Sequence, residues 1–393
     1  MLTGDNGIVK KAIEAKESTE IAEDKEQIQL LYRETQTNLL TSKEEMLNMT
    51  KNKLDEIGKY ETTISEEKLI IINKKTNALY ELENGMLEYQ GIKQNTNSVD
   101  PVMQVRKEGE AFWVKDIREK VTEVRTKNYI ATPNNIIQEW DVSDKKDKSV
   151  LAWIVDDGNG GYKLTIASNG KTKPKSCMSM FQQFYQVEKI DLSNWDTSDV
   201  KNMSAMFYKC RMLKELNIKK LDTGNVTNMS QMFRDLHSMQ NIDVSTLNTH
   251  NVTNMSYMLS DIEVTELDLS NFDTSNVVSM NNMFQFNIKL VSINMKGIDT
   301  SKVTNMSYMF YQCKNLKELD LSEFNTSNVT NMGNMFYDCR LIENIFIGGK
   351  WSVENVNISN QMFENCKKLP NWVESCIDKT NAHALTNGYM TKR

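Results

Sequence analysis

The stretch LDLSEFNTSNVTNMGNMFYDCRLIEN, residues 319–344, decides how this chain is read. Ile190, Leu216, Ile242, Leu267, Ile293, Leu319 and Ile345 all open the same phrase, in steps of 26 residues except for the 25-residue step from Ile242 to Leu267. A fixed period of this length marks units that cannot close a core alone and must stack on their neighbours. Leu319 and Leu321 alternate with Asp320 and Ser322, the period of a half-buried strand. Met332, Met335, Phe336 and Cys339 then recur at three and four, the spacing of one helix face. The expected unit is a short strand, a corner and a short helix. Seven or eight such units, about 4.8 Å apart, predict a repeat solenoid with one parallel sheet and a helical wall opposite.

The repeat columns carry their own chemistry. Two methionine ladders, Met203 to Met332 and Met206 to Met335, read as core filling, because unbranched Met adapts to irregular gaps and no His or Cys converges on them. In the corner, Asp196, Asp222, Asn248, Asp273, Asp299 and Asn325 each precede a threonine, and such short polar side chains satisfy turn amides locally. Asn202, Asn228, Asn254, Asn305 and Asn331 stand where a helix N-cap is expected. Because these polar residues repeat with the fold, they read as scaffold and not as a catalytic site. The outward strand positions form two further columns: Asp191, Asn217, Asp243, Asp268, Asn294 and Asp320 in one, and Ser193, Lys219, Ser245, Ser270, Lys296 and Ser322 in the other. Stacked carboxylates repel, and Asn217 and Asn294 interrupt the acidic series. These twelve residues are the candidate ligand face. A calcium ion bridging Asp243 and Asp268 is a second reading of the same column.

Ahead of the repeats, residues 1–58 read as a long charged helix from Ile8 to about Leu40, roughly 45 Å long, and a second helix. Ser42 and Glu45 have capping-box spacing before that helix and Gly58 stops it. Residues 59–130 read as a small α+β region, mostly β, with strands between Glu66 and Tyr89 and a loop or linker over 90–102. Trp113 marks a buried strand. Residues 131–163 read as a β capping region, with Asp156 to Gly161 as a tight turn. The repeats fill 164–371, and 372–393 form a C-terminal cap and tail. The N-terminal half of the first helix is expected to project from the sheet, and a helix folded back as a cap is the competing reading.

Of 393 residues, 47 are Lys or Arg and 53 are Asp or Glu, and the net charge of -6 disfavours a nucleic-acid backbone as partner. No run is apolar enough for a membrane span and no signal peptide opens the chain. Cys210, Cys313, Cys339 and Cys366 share a column and read as buried core thiols, with a Cys366–Cys376 disulfide and a zinc site as lesser readings. His237, His250 and His383 are scattered, and no close Cys pair supports zinc. There is no nucleophile elbow, HExxH or phosphate-loop phrase, so no catalytic or cofactor-binding residue is assigned, and the chain reads as a non-enzyme.

LDLSNFDTSNVVSMNNMF from Leu267, FNTSNVTNMGNMFYDC from Phe324, and EWDVS…SVLAW at Glu139 to Trp153 resemble the BspA-like leucine-rich-repeat bacterial surface proteins. The likeness covers roughly Trp140 to Trp372 and implies an α/β, leucine-rich-repeat-type solenoid, here preceded by a small N-terminal α+β domain and a long helix. The opening GDNGIVKKAIEAKESTEIAEDKEQIQLLY is similar to the soluble part of the N-terminal helix of type IV pilin-like proteins, in which an apolar stretch lies upstream. These resemblances imply an extracellular, cell-surface adhesion module for a host or neighbouring-cell protein or glycan, shown on the envelope or on a pilus-like filament. They also imply homo-oligomers through the N-terminal helix, and membrane contact only through an upstream segment that this sequence lacks. The alternative is a structural spacer or self-assembling filament subunit with no outside ligand.

Overall fold

The computed structural model describes residues 5–36, 42–65, 68–84, 86–93, 102–103, 113–375, 377–383 and 388–393. Its elements run α1 (Asp5–Gln36), α2 (Lys43–Ile57), β1 (Tyr60–Ser65), β2 (Lys68–Asn73), β3 (Ala78–Glu83), β4 (Met86–Lys93), β5 (Val102–Met103), α3 (Lys115–Lys120), β6 (Val121–Lys127), β7 (Ala131–Thr132), β8 (Gln138–Asp141), β9 (Val150–Asp156) and β10 (Tyr162–Ser168). There follow β11 (Lys173–Pro174), β12 (Lys189–Asp191), β13 (Glu215–Asn217), β14 (Glu266–Asp268), β15 (Ser292–Asn294), β16 (Glu318–Leu321), β17 (Asn344–Ile347), a 3-10 turn at Lys379–Asn381 and β18 (Thr391–Lys392). The chain divides into two compact units, Met1–Asn97 with Tyr129–Gln138, and Ser98–Asn128 with Glu139–Arg393.

In the first unit α1 and α2 accompany a five-stranded sheet of order β1-β2-β3-β4-β7. Strand β1 lies in a stretch that the sequence reading left unassigned, and it pairs antiparallel with β2 from Tyr60–Asn73 to Ser65–Lys68. The capping box of α2 forms as its residues require: the Glu45 amide donates to Ser42 Oγ at 3.2 Å, and the Ser42 amide donates to Glu45 Oε2 at 2.9 Å. Gly58 ends the helix at φ 72°, a left-handed conformation that costs glycine little. Ile28 and Tyr32 of α1, Leu47 and Leu54 of α2, and Leu69, Ile71, Tyr80 and Leu82 of the sheet form one core. Within that core Asp24 is 1% exposed. It accepts from Asn73 Nδ2 at 2.7 Å, Tyr80 Oη at 2.8 Å and Tyr60 Oη at 2.9 Å, and lies 2.6 Å from Lys59 Nζ.

The second unit begins with a six-stranded sheet of order β13-β12-β6-β10-β9-β8. The neighbour of the first repeat strand is therefore β6, which pairs parallel with β12 through Glu123–Lys189, Val124–Ile190 and Arg125–Asp191. Trp113 is buried but lies just before α3, outside any strand. Asp157 closes the β9–β10 hairpin by accepting the amides of Asn159 at 2.8 Å and Gly161 at 2.9 Å. Beyond β13 the strands gather into separate small sheets, β14-β15 and β16-β17-β18. No strand is assigned at Ile242.

The leucine-rich-repeat-type solenoid expected from the sequence is overturned. The fold is a mixed α/β architecture with discrete sheets and, among the described residues, three α-helices, all of them before Val121. The helical wall predicted from the spacing of Met332, Met335, Phe336 and Cys339 is absent from the repeats, and so is a continuous parallel sheet. The physical reason is backbone conformation. Within each MSxMFxxC phrase two residues have positive φ: Ala205 at 53° and Lys209 at 65°, Gln231 at 59° and Asp235 at 65°, Tyr308 at 58° and Gln312 at 58°. A left-handed residue cannot continue a right-handed helix. Each phrase instead makes successive turns, with Met206 N–H donating to Met203 O at 3.3 Å and Cys210 N–H to Phe207 O at 3.1 Å. A left-handed third residue is what a type II turn requires.

Turn pairs place Met203, Met206, Phe207 and Cys210 on one side as a helix would, so the side-chain spacing alone did not separate the two. The alternate amides point sideways. Met203, Ala205, Phe207 and Lys209 donate to the carbonyls of Asn228, Ser230, Met232 and Arg234 at 2.8–3.0 Å. The expected N-cap asparagines are turn formers too: the Asn202 side chain accepts from the Ser204 amide at 2.9 Å, while its backbone bridges Asn228. Corner carboxylates act locally as expected, with Asp196 accepting from the Ser198 amide at 3.1 Å. The corner threonines do not: Thr197, Thr223, Thr249 and Thr274 are buried and donate to the carbonyls of Asp222, Asn248, Asp273 and Asp299.

Phenylalanines stack through this core, Phe181 on Phe207 at 6.0 Å and Phe207 on Phe233 at 5.8 Å. Leu259 takes the next place, and stacking resumes from Phe284 through Phe310 and Phe336 to Phe363, where Tyr389 packs edge-on at 5.3 Å. Cys177, Cys210, Cys313, Cys339 and Cys366 are free and buried. Burial pushes the Cys339 thiol up to about 12, and its Sγ–H donates to Phe310 O at 3.1 Å. Cys376 lies outside the described residues, as does most of the expected linker over 90–102.

Asp24 ties stability of the first unit to pH. Burial alone raises its pKa, but the bonds from Lys59, Asn73, Tyr80 and Tyr60 together outweigh that and hold it below the ordinary carboxylate value. Its contribution is therefore complete above the unfolded pKa of about 3.9 and is lost as pH falls through the lower folded value. Acid unfolding followed by tyrosine fluorescence should show the Asp24→Asn variant less stable than the parent at neutral pH, with the gap closing towards pH 2. A gap that stayed constant with pH would refute the linkage.

Candidate functional site

The expected ligand face is only partly a surface, and it is not one continuous array. Asp191 belongs with Asn217 to the six-stranded sheet, Asp268 and Asn294 to β14-β15, and Asp320 to the last sheet, while Ser193 and Asp243 lie outside any strand. Asn217, Asp243, Asp268, Asn294 and Asp320 are exposed and Asp191 is half-buried. In the second column Lys219, Ser245, Ser270 and Lys296 are exposed and Ser322 is half-buried, but Ser193 is buried and offers nothing to a ligand.

What the positions share is a turn. The first-column oxygen accepts the amide two residues on: Ser193 to Asp191 at 3.0 Å, Ser245 to Asp243 at 3.1 Å, Ser270 to Asp268 at 3.0 Å, Lys296 to Asn294 at 3.2 Å and Ser322 to Asp320 at 3.0 Å. These bonds strengthen the charged form. The Ser245 hydroxyl and amide hold Asp243 below the usual carboxylate range, and the Ser270 amide does the same for Asp268. The two asparagines that interrupt the acidic series act across units, since Asn217 Nδ2 donates to Asp191 Oδ1 and Asn294 Nδ2 to Asp268 Oδ1, each at 2.9 Å. Lys219 Nζ lies 3.9 Å from Asp243, and Arg393 pairs with Asp320. Asp243 and Asp268 are not among the described residues whose carboxylates gather as metal ligands.

Two groups escaped the sequence reading. Phe286, Tyr308, Tyr311 and Tyr337 lie together: Tyr311 stacks on Tyr337 at 4.7 Å, meets Phe286 edge-on at 5.3 Å and lies 5.4 Å from Tyr308. Phe286, Tyr311 and Tyr337 are partly buried, and Tyr308 is 37% exposed. Further along the same columns Arg234 lies between Tyr208 at 5.4 Å and Tyr257 at 4.4 Å. The available signal was the run of aromatics, YMFY at 308–311 and FY at 336–337, in columns that already hold Tyr257 and Tyr208 in earlier units. Two of the three histidines lie beside carboxylates, in separate places. His250 Nδ1 lies 2.7 Å from Asp273 Oδ2, and this bond, with those from Ser275, lowers the Asp273 pKa to about 2. His237 lies beside Asp235 and Asp261, a cluster whose ligand atoms are close enough to hold a metal ion.

The cross-unit amide bonds generate a testable consequence. Asn217→Asp together with Asn294→Asp replaces two donors with carboxylates beside Asp191 and Asp268, and like charges opposed across strands are destabilising. The double variant should melt lower at low ionic strength and recover much of the loss in high salt. Unchanged melting at low salt would show that the columns are not coupled.

Residues 175–292 and 263–376 match, in two overlapping stretches, the family described as "Mycoplasma protein of unknown function, DUF285". No curated protein and no solved structure matches the chain. The two stretches together run from residue 175 to residue 376, just over half of the sequence, and the chain belongs to this family.

Proposed function

We propose that this protein is a non-enzymatic binding module that docks a host or neighbouring-cell protein or glycan from a bacterial cell surface or a pilus-like filament. The observation that carries this reading is the outward column of Asp and Asn residues, in which Asp243, Asp268, Asn294 and Asp320 are each fixed by the same bond from the amide two residues on. Groups already held in place lose little entropy when a partner binds, so a modest set of contacts gives useful affinity. The cluster of Tyr308, Tyr311 and Tyr337 adds side chains of the type enriched in interface hot spots. Among the described residues no helix is long and apolar enough to cross a membrane.

A second reading, a spacer or filament subunit that binds copies of itself, is favoured by the first unit. There β1 is an end strand of its sheet, and Leu30 of α1 is 58% exposed. Unpaired strand edges and exposed apolar side chains are ready surfaces for self-association.

The test immobilises the chain, probes it with a glycan and extracellular-matrix panel, and measures mass in solution over the same concentration range. Saturable binding by a monomer that falls at least about tenfold when Asp243, Asp268 and Asp320 are all changed to Lys supports the docking face. Binding untouched by that change refutes this face, and concentration-dependent polymers that capture nothing from the panel replace the docking reading with self-assembly.

A further inference from the structure

We infer that Asp235, His237 and Asp261 form a site for a single divalent transition-metal ion of the zinc class, joining two successive repeat units. Asp235 and Asp261 occupy the same slot 26 residues apart, so stacking brings their carboxylates together, and His237 follows Asp235 by two residues. His237 Nε2 lies 2.8 Å from Asp235 Oδ1 and 3.4 Å from Asp261 Oδ2. One ligand atom from each residue falls within 4.8 Å of the others. Tetrahedral bonds of about 2.0–2.2 Å separate neighbouring ligand atoms by roughly 3.3 Å. The Asp261 arm already has that spacing, and the Asp235 arm needs to open by about half an ångström to reach it.

Three further features fit a metal and not only a chance cluster. The donor set, one imidazole nitrogen and two carboxylate oxygens, suits zinc and its neighbours better than calcium or magnesium, which prefer all-oxygen shells. Asp235 is 5% exposed, and Arg211 holds it by two bonds, Nε to Oδ1 at 3.1 Å and Nη2 to Oδ2 at 3.0 Å. A second residue that orients a ligating carboxylate in this way is a regular part of metal sites. His237 and Asp261 are open, with side chains 40% and 39% exposed, which leaves an entry path and room for water to complete the coordination shell. Two carboxylates and one guanidinium leave the cluster with net negative charge, so a dication is not repelled. The backbones beneath the site are already bonded, with Asp235 N–H donating to Ser260 O at 3.0 Å and Leu236 bridging Ile262, so the two units hold the ligand side chains in register.

The test titrates zinc into the chelator-stripped full chain by calorimetry, with magnesium as control, and records the visible spectrum of the cobalt(II) form. The expected result is one saturable zinc isotherm and no magnesium heat. Cobalt should give a spectrum without a thiolate charge-transfer band. His237→Gln and Asp261→Asn, both at open positions, should each weaken zinc at least about tenfold while their melting curves without metal stay close to the parent's. Absence of saturable zinc binding overturns the inference. So does a thiolate band, which places the metal on a cysteine, and so does binding that survives both substitutions.

Discussion

Sideways hydrogen bonding between consecutive repeat units is the constraint on which the second unit depends. In each phrase two residues in left-handed conformation turn the backbone so that every second amide leaves its own unit and finds a carbonyl in the next. A buried amide without a partner costs on the order of 1–3 kcal/mol, so a unit separated from its neighbour would leave several such donors unpaid at once. Side-chain stacking follows from this spacing and does not set it. Phe310 lies 5.3 Å from Phe284 and 5.8 Å from Phe336 because the backbones beneath them are already bonded.

The same bonding explains why the interior is soft in composition yet closely filled. Methionine occupies the slots flanking the phenylalanines, and both Met ladders are buried along their length. Cysteine completes the slot at the end of the phrase, where its thiol donates to a carbonyl of the preceding unit, as from Cys313 to Phe284 and from Cys366 to Phe336. At the corresponding place Asn287 is fully buried and donates from Nδ2 to Leu259 O at 2.9 Å. The slot accepts either a small donor or a hydrophobe, since Leu236 and Ile262 fill it in the two units between Cys210 and Asn287. Function, on this account, is left to the outward residues, which the scaffold holds without consuming.

Much of this was legible in the chain. The period, the burial of Leu319, Leu321 and the Met ladders, the capping box at Ser42 and the β9–β10 hairpin all follow from local rules that tertiary contacts do not override. The helical wall was not, because Met203, Met206, Phe207 and Cys210 have the spacing of a helix face and only the backbone angles at Ala205 and Lys209 distinguish two turns from one helix. Nothing in the identity of Ala, Lys, Gln or Tyr announces a left-handed residue. Strand β6 escaped because Lys115 to Arg125 mixes a short helix with a strand. In the candidate face, Asn217 and Asn294 were read as relief from repulsion, and they sit as donors to Asp191 and Asp268. Ser193 was misplaced because alternation was extended past the end of a three-residue strand.

Glycine substitution at the left-handed positions tests the turn architecture most directly, with Ala205→Gly and Gln312→Gly compared by chemical denaturation. In a helix each change would cost about 1 kcal/mol. At φ near 53° and 58° glycine relieves a conformation that disfavours a side chain by about 1–2 kcal/mol. The account predicts variants as stable as the parent or more so, and a loss of about 1 kcal/mol at each position would contradict it.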